Sequence, residues 1–283
     1  MDSSKISPKR LAVLKRIEAY EKAGQFHHSV EDDPPAKELK PKQVDYLCKK
    51  PLNKLKRRLA NILGDRYFLG LIKKGELIID GVEGVEHLSA LKKGAVITCN
   101  HFAAADNYIV FHCLRKYLPK KYLYKIIREG NYTSFSGLYG FLFRHCNTLP
   151  LSSNRRTMIN FTSAVQTLLK NGESILIYPE QEMWWNYKKP RPFLVGGFKL
   201  AYRAGVPVLP TFITMQDDSR IDENGYPLQR HVLHVLPPIY PDLSLGEKKG
   251  AEQMKNRAYE LCKQKYEEVY GVELTYLNEE KTP

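Results

Sequence analysis

From Gly75 onward, short apolar runs alternate with stretches of helical period, and this alternation constrains the fold more than any other feature of the chain. Compact runs rich in β-branched residues read as strands, while apolar residues at three- and four-residue spacing read as helices. Strands are expected at Glu76–Ile79, Ala95–Cys99, Tyr122–Ile127, Thr148–Leu151, Ser174–Tyr178, Val206–Ile213 and His231–Leu236. Helices are expected at Asn107–Tyr117, around Met158–Leu169 with a stop at Asn171-Gly172, at Gly197–Ala204 closed by Gly205, and at Ala251–Tyr270. Strands interleaved with helices predict an α/β domain with a mixed, largely parallel sheet flanked by helices.

The first 75 residues have a different texture. Between Lys37 and Lys74 basic residues far outnumber acidic ones, and Leu52, Leu55, Leu59, Ile62 and Leu63 recur at helical spacing among Lys54, Lys56, Arg57 and Arg58. An aromatic-aliphatic cluster, Tyr67 to Ile72, follows. A basic amphipathic helix ending in such a cluster suits a bilayer interface, and suits equally an ordinary helix packed on a domain. The chain is accordingly divided into a basic helical segment (1–75), expected as a membrane-surface anchor, and a catalytic-type domain (76–283).

With 44 Lys and Arg against 31 Asp and Glu the net charge is +13, which calls for an anionic partner. The best clean apolar run, Tyr67–Ile72, is far short of the roughly 20 residues of a membrane span. The start, MDSSKISPKR, has no apolar core after a basic opening, so no secretory leader is expected. Five scattered cysteines without a C-x-x-C pair predict reduced thiols, not a disulfide frame or zinc site. The expected location is cytoplasmic, peripheral on the inner face of a membrane.

Nucleotide-binding glycine loops, the G-x-S-x-G elbow and H-E-x-x-H are absent. His231 and His234 read as strand residues, not metal ligands. What remains is a His followed five positions later by an Asp. It occurs at His101–Asp106 and also at His27–Asp32 and His28–Asp33, but only His101 follows a strand and opens a helix. Five positions on an ideal helix lie about 140° apart. The two side chains therefore meet only if His101 sits in the turn and Asp106 in the first turn of the helix.

Asn100-His101-Phe102-Ala103-Ala104-Ala105-Asp106 resembles the N-H-x-x-x-x-D block of the glycerolipid acyltransferases. Three further blocks follow in the family's order. Ile175-Leu176-Ile177-Tyr178-Pro179-Glu180 resembles the strand running into F-P-E-G-T-R. Gly197-Phe198-Lys199 with Ala204-Gly205-Val206-Pro207-Val208-Leu209-Pro210 resembles the K-x-G and A-G-V-P-x-x-P block. Cys146-Asn147-Thr148-Leu149-Pro150-Leu151 stands where the family has G-x-I-P-V-D-R. The likeness spans roughly Gly75 to Pro238. Two departures concern the arginines that the family associates with an acceptor phosphate. Gln181-Glu182-Met183 replaces G-T-R, and Ser152-Ser153 falls near the other arginine, with Arg155 and Arg156 close behind.

The resemblance implies transfer of a fatty acyl group from acyl-CoA or acyl-carrier protein to the hydroxyl of a lysophospholipid, with no metal or prosthetic group. His101 would act as general base, since a neutral imidazole with a pKa of about 6.5 is suited to that task, and Asp106 would fix its tautomer. Asn100, Glu180, Arg155, Arg156 and Lys199 are the expected substrate contacts; Arg128, Lys188 and Arg191 are further candidate anion contacts. An anionic membrane surface and possibly acyl-carrier protein are the expected partners, and nucleic acid is not. Two alternatives stay open: the same chemistry on a glycolipid or other phosphate-free acceptor, and a catalytically silent lipid-binding relative.

Overall fold

A computed structural model describes residues 7–120 and 122–279; the first six residues, on which the leader question bears, lie outside them. The strands are β1 (Ile78–Glu83), β2 (Ala95–Thr98), β3 (Leu123–Ile127), β4 (Thr148–Pro150), β5 (Ser174–Ile177), β6 (Val208–Ile221) and β7 (Pro227–Val235). The helices are α1 (Pro8–Lys22), α2 (Pro51–Lys74), α3 (Asp106–Leu114), α4 (Glu129–Thr133), α5 (Gly137–His145), α6 (Arg155–Lys170), α7 (Gly196–Ala204) and α8 (Gly246–Tyr270). The strands form one sheet in the order β1-β7-β6-β2-β5-β3-β4. Every pair is parallel except β6 with β7. The mixed, mostly parallel α/β architecture is as expected.

The period-two alternation of strand side chains divides the core between the two sheet faces. Val96, Ile175, Ile177, Val208 and Phe212 point to the face covered by α1, α6, α7 and α8. Ala95, Ile97, Leu176, Leu209 and Ile213 point to the other, with α3 and the end of α2. Because β2 and β5 are buried on both faces, three consecutive residues in each are apolar, with a buried hydroxyl residue at one end, Thr98 or Ser174. Gly197 shows how closely the layers approach: a Cβ there would lie 1.9 Å from Ile177 Cδ1, so α7 rests on the end of β5 with no room for a side chain.

Several boundaries move. The first strand runs Ile78–Glu83 instead of Glu76–Ile79, because Gly75 ends α2 in the left-handed region and Glu76 and Leu77 complete its cap. β6 continues beyond Ile213 as the exposed arm of a hairpin with β7. Between Ile127 and Thr148, where no element was expected, lie α4 and α5. The division at residue 75 does not follow the packing. Val13, Ile17, Phe26, Val30 and Tyr46 belong to the main core with Trp184, Phe193 and Phe198, so the N-terminal segment folds with the rest.

The helix expected in the basic segment is α2, and its apolar stripe is largely uncovered. Leu52, Leu55, Leu59 and Ile62 are 60%, 64%, 47% and 42% exposed, while its last turns, Phe68, Leu71 and Ile72, pack on the core. None of the helices among the described residues is long and apolar enough to cross a membrane.

Candidate active site

The site begins where β2 stops. Asn100, 3% exposed, turns its amide onto β6: Nδ2 donates to the Ile213 carbonyl at 3.0 Å, and Oδ1 accepts from the Ile213 N–H at 2.8 Å. The side chain thus continues the β2–β6 ladder after the backbone has left it, and so aims the turn that follows. Within that turn the His101 N–H donates to Glu180 Oε2 at 3.2 Å, while the carbonyls of His101 and Phe102 accept the N–H groups of Trp184 and Asn186 at 3.0 Å each.

Asp106 is the first residue of α3 and fully buried. Its Oδ2 lies 2.6 Å from His101 Nδ1 and accepts the Phe102 N–H at 3.2 Å. A carboxylate at a helix N-terminus is also favoured by the helix dipole. Sequence spacing alone left His and Asp on different helix faces. Placing His101 in the turn and Asp106 inside the helix brings them together. With Nδ1 held by the carboxylate, Nε2 is the nitrogen left to face a substrate, and the imidazole side chain keeps 21% of its surface exposed.

Tyr178, immediately after β5, was absent from the expected site residues. Its ring lies nearly parallel to the His101 ring at 4.0 Å between centroids and 14° between planes, and its hydroxyl donates to Asp106 Oδ1 at 2.6 Å. Burial, and then the Asp106 charge, push its phenol well above the ordinary value, so it stays a hydrogen-bond donor. The signal available in sequence was the Tyr at the position where the resembling block has Phe.

Glu180 is 2% exposed, and besides the His101 N–H its carboxylate is bound by Arg191. The Arg191 N–H meets Oε1 at 2.9 Å, while Nε and Nη2 meet Oε2 at 3.2 and 2.9 Å. The guanidinium donates further to the Phe26 and Glu182 carbonyls and lies over the Trp184 ring. The pair ties the turn at His101, the segment after β5 and the N-terminal loop into one unit. Asn100 and Glu180, expected as substrate contacts, and Arg191, a candidate anion contact, are all buried and bonded to the protein.

The other cations divide. Arg128 is neutralised by Glu182 and Asp33, and Lys188 pairs with Asp217. Lys199 is half-buried on α7, near Glu247, whose carboxyl is held low chiefly by its hydrogen bond with Arg203 and only in smaller part by Lys199. Arg155 and Arg156 open α6 with both side chains exposed, beyond the carboxyl end of β4. That is the same end of the parallel set as His101 but three strands from β2, about 14 Å at the usual strand spacing. The other His–Asp pairs do not form: Asp32 pairs with Arg16, the His28 ring packs at a tilt against Tyr20, and His27 Nδ1 approaches the Glu180 carbonyl at 3.4 Å. Cys99 is fully buried, and burial followed by the Asp106 charge pushes its thiol well up, which disqualifies it as a nucleophile.

Residues 81–214 match the family model described as Acyltransferase. Among solved structures, the chain is similar to the 1-acyl-sn-glycerophosphate (LPA) acyltransferase PlsC from Thermotoga maritima. The TM-score is 0.51 at 17% identity, over 94% of this chain and 96% of that one, a likeness of fold. A search of curated proteins finds no significant match.

Proposed function

We propose, from the match of residues 81–214 to the acyltransferase family model, that the protein transfers a fatty acyl group from a thioester to a lipid hydroxyl, with His101 as general base. The observation that carries this reading is the His101 Nδ1–Asp106 Oδ2 contact of 2.6 Å in the turn after β2, with the imidazole partly exposed. Nε2 would take the proton as the acceptor hydroxyl attacks the thioester carbonyl. Collapse of the tetrahedral intermediate would expel the thiolate, which recovers that proton from the imidazolium. Asp106 would hold the tautomer and stabilise the transient cation. No acyl-enzyme is needed.

A lysophospholipid such as a 1-acylglycerol-3-phosphate is the proposed acceptor, and acyl-CoA or acyl-carrier protein the proposed donor. Arg155 and Arg156 would meet the acceptor phosphate, since they are the exposed arginines that follow the strand of the second block. One observation favours a second reading, a phosphate-free acceptor such as a glycolipid. Arg128 and Arg191, which lie on either side of the segment after β5, are already bound to carboxylates.

We further propose that α2 rests on the inner face of an anionic membrane, its exposed leucines in the interface and its basic residues at the headgroups. The deciding experiment measures thiol release from acyl-CoA and from acyl-carrier protein over a panel of lysolipids. Release that depends on one acceptor class and on His101 supports the reading. No release with any donor would move the assignment to a silent lipid-binding relative.

A further inference from the structure

Lys37, Lys56, Arg57 and Arg144 line a cavity of about 520 Å³ to which the catalytic turn contributes nothing. Its walls are the strap before α2, the first turns of α2, and the chain around the end of α5. Tyr124, second in β3, and Thr148, first in β4, also line it, so it lies toward the amino ends of these strands. His101 follows the carboxyl end of β2, which runs parallel to both. The cavity and the catalytic turn are at opposite ends of the sheet.

Charge inside the cavity is unbalanced. Its two carboxylates are already engaged: Asp45 accepts the N–H groups of Lys49 and Lys50 and the Asn53 amide, and Glu38 accepts the Asn154 amide. Among the described residues none of the four cations forms an ion pair. The Arg57 guanidinium meets the Tyr124 hydroxyl at 3.1 Å and the Tyr122 face, and that of Arg144 meets the Tyr132 and Phe135 carbonyls. Burial, reinforced by Lys56 and Arg144, holds the His145 imidazole below its ordinary pKa, as a positive field does. Asn147, in the same wall and buried, leaves Oδ1 without a hydrogen-bond partner.

We propose that this cavity is a second binding site, for a phosphate ester. Arg57, Arg144 and Lys56 supply the anion contacts, and a guanidinium fork matches phosphate oxygens. The Asn147 Oδ1 accepts a ligand hydroxyl. Lys56 is one helical turn from the exposed Leu52 and Leu59, so the phosphate has two sources: a phospholipid headgroup presented at a bilayer, or a soluble ester. The site does not rest on the acyl-transfer reading, because it is tested by binding alone.

The test uses the full-length protein with two probes. Adenosine diphosphate is titrated calorimetrically, and flotation is measured with phosphatidylcholine vesicles with and without phosphatidic acid. Two variants strip the cavity: Lys56→Gln with Arg57→Gln, and Lys37→Glu with Lys56→Glu, the second of which removes no hydrogen bond seen here. Lys54→Gln with Arg58→Gln and Lys54→Glu with Arg58→Glu, at positions exposed on the same helix and outside the cavity, are the charge-matched controls for the first and second variant. Melting curves verify folding. The expected result is a loss of about tenfold or more in both cavity variants for at least one probe, beyond any loss in the matched control. A loss confined to adenosine diphosphate identifies a soluble ester, and one confined to phosphatidic acid vesicles identifies a headgroup. If cavity and control variants behave alike with both probes, the proposal is overturned.

Discussion

The Tyr178 hydroxyl donates to Asp106 Oδ1 at 2.6 Å while its ring lies flat on the His101 imidazole. One side chain therefore fixes the plane of the imidazole and partly spends the charge of the carboxylate behind it. Glu180 and Arg191 lie beside the same turn, and His231, held neutral mainly by burial, stacks under Phe102. Tyr178→Phe should keep the stack and lose the bond. Asp106 then loses one of the bonds that hold it against the imidazole, and kcat should fall about fivefold, from a hydrogen bond of about 1 kcal/mol, with the KM values little changed. Wild-type turnover would show that Tyr178 only fills space.

His101→Ala and Asp106→Asn should each lower turnover by about 10²–10⁴-fold with an unaltered near-ultraviolet circular dichroism spectrum. In the second variant an amide faces Nδ1 and favours the wrong tautomer. Near-normal turnover in His101→Ala would sink the general-base reading.

The buried pair Glu180–Arg191 predicts a stability signature. Glu180→Ala leaves a guanidinium at zero exposure without its carboxylate, a loss of about 3–5 kcal/mol. At this chain length that is a fall of roughly ten degrees in melting temperature. Replacing both residues by Leu should cost less than the two single replacements added together. Additive single effects would argue against a direct coupling.

Membrane association is best tested on the exposed stripe, since residues 8–48 contribute to the core and cannot be deleted without unfolding it. Leu52→Ser, Leu55→Ser and Leu59→Ser combined should weaken binding to anionic vesicles by tenfold or more, at about 1 kcal/mol or more per leucine. The melting temperature should not fall. Raised salt should weaken the intact protein as well, because headgroup attraction fades beyond a Debye length of about 10 Å. Equal partition of mutant and wild type would reject the surface-helix proposal.

The acceptor can be read from Arg155→Ala with Arg156→Ala. A phosphorylated acceptor should show a KM raised far more than that of the thioester donor, because its phosphate loses its cationic partners. A neutral acceptor should show almost no change. A ratio of the two KM shifts near one would favour the phosphate-free acceptor.

The layer architecture was legible because strand and helix periods are local properties. β2 and β5 declare themselves as doubly buried by the consecutive apolar residues Ala95–Ile97 and Ile175–Ile177, and α6 shows its buried face through Met158, Phe161, Val165 and Leu168. The stretch between Ile127 and Thr148 was not legible. Gly130, Gly137 and Gly140 with several serines and aromatics weaken helix propensity there, and only packing of α5 against α2 and Phe135 makes the helix.

Within the site, His101 and Asp106 could be paired from sequence because the turn between them is only four residues long. The remaining partners are distant in the chain. Tyr178 reaches Asp106 across 72 positions, and Arg191 reaches the Phe26 carbonyl across 165. Nothing in the local pattern of an arginine says whether it will meet solvent, a phosphate or a buried carboxylate. The sequence by itself determined the strands, most of the helices and the His–Asp spacing, since these follow from period and short-range geometry. The tertiary structure alone decided that Arg191 is internal, that the N-terminal segment belongs to the core, and that a tyrosine backs the aspartate. Those outcomes depend on which polar groups lose water together, and that is set only when distant segments pack.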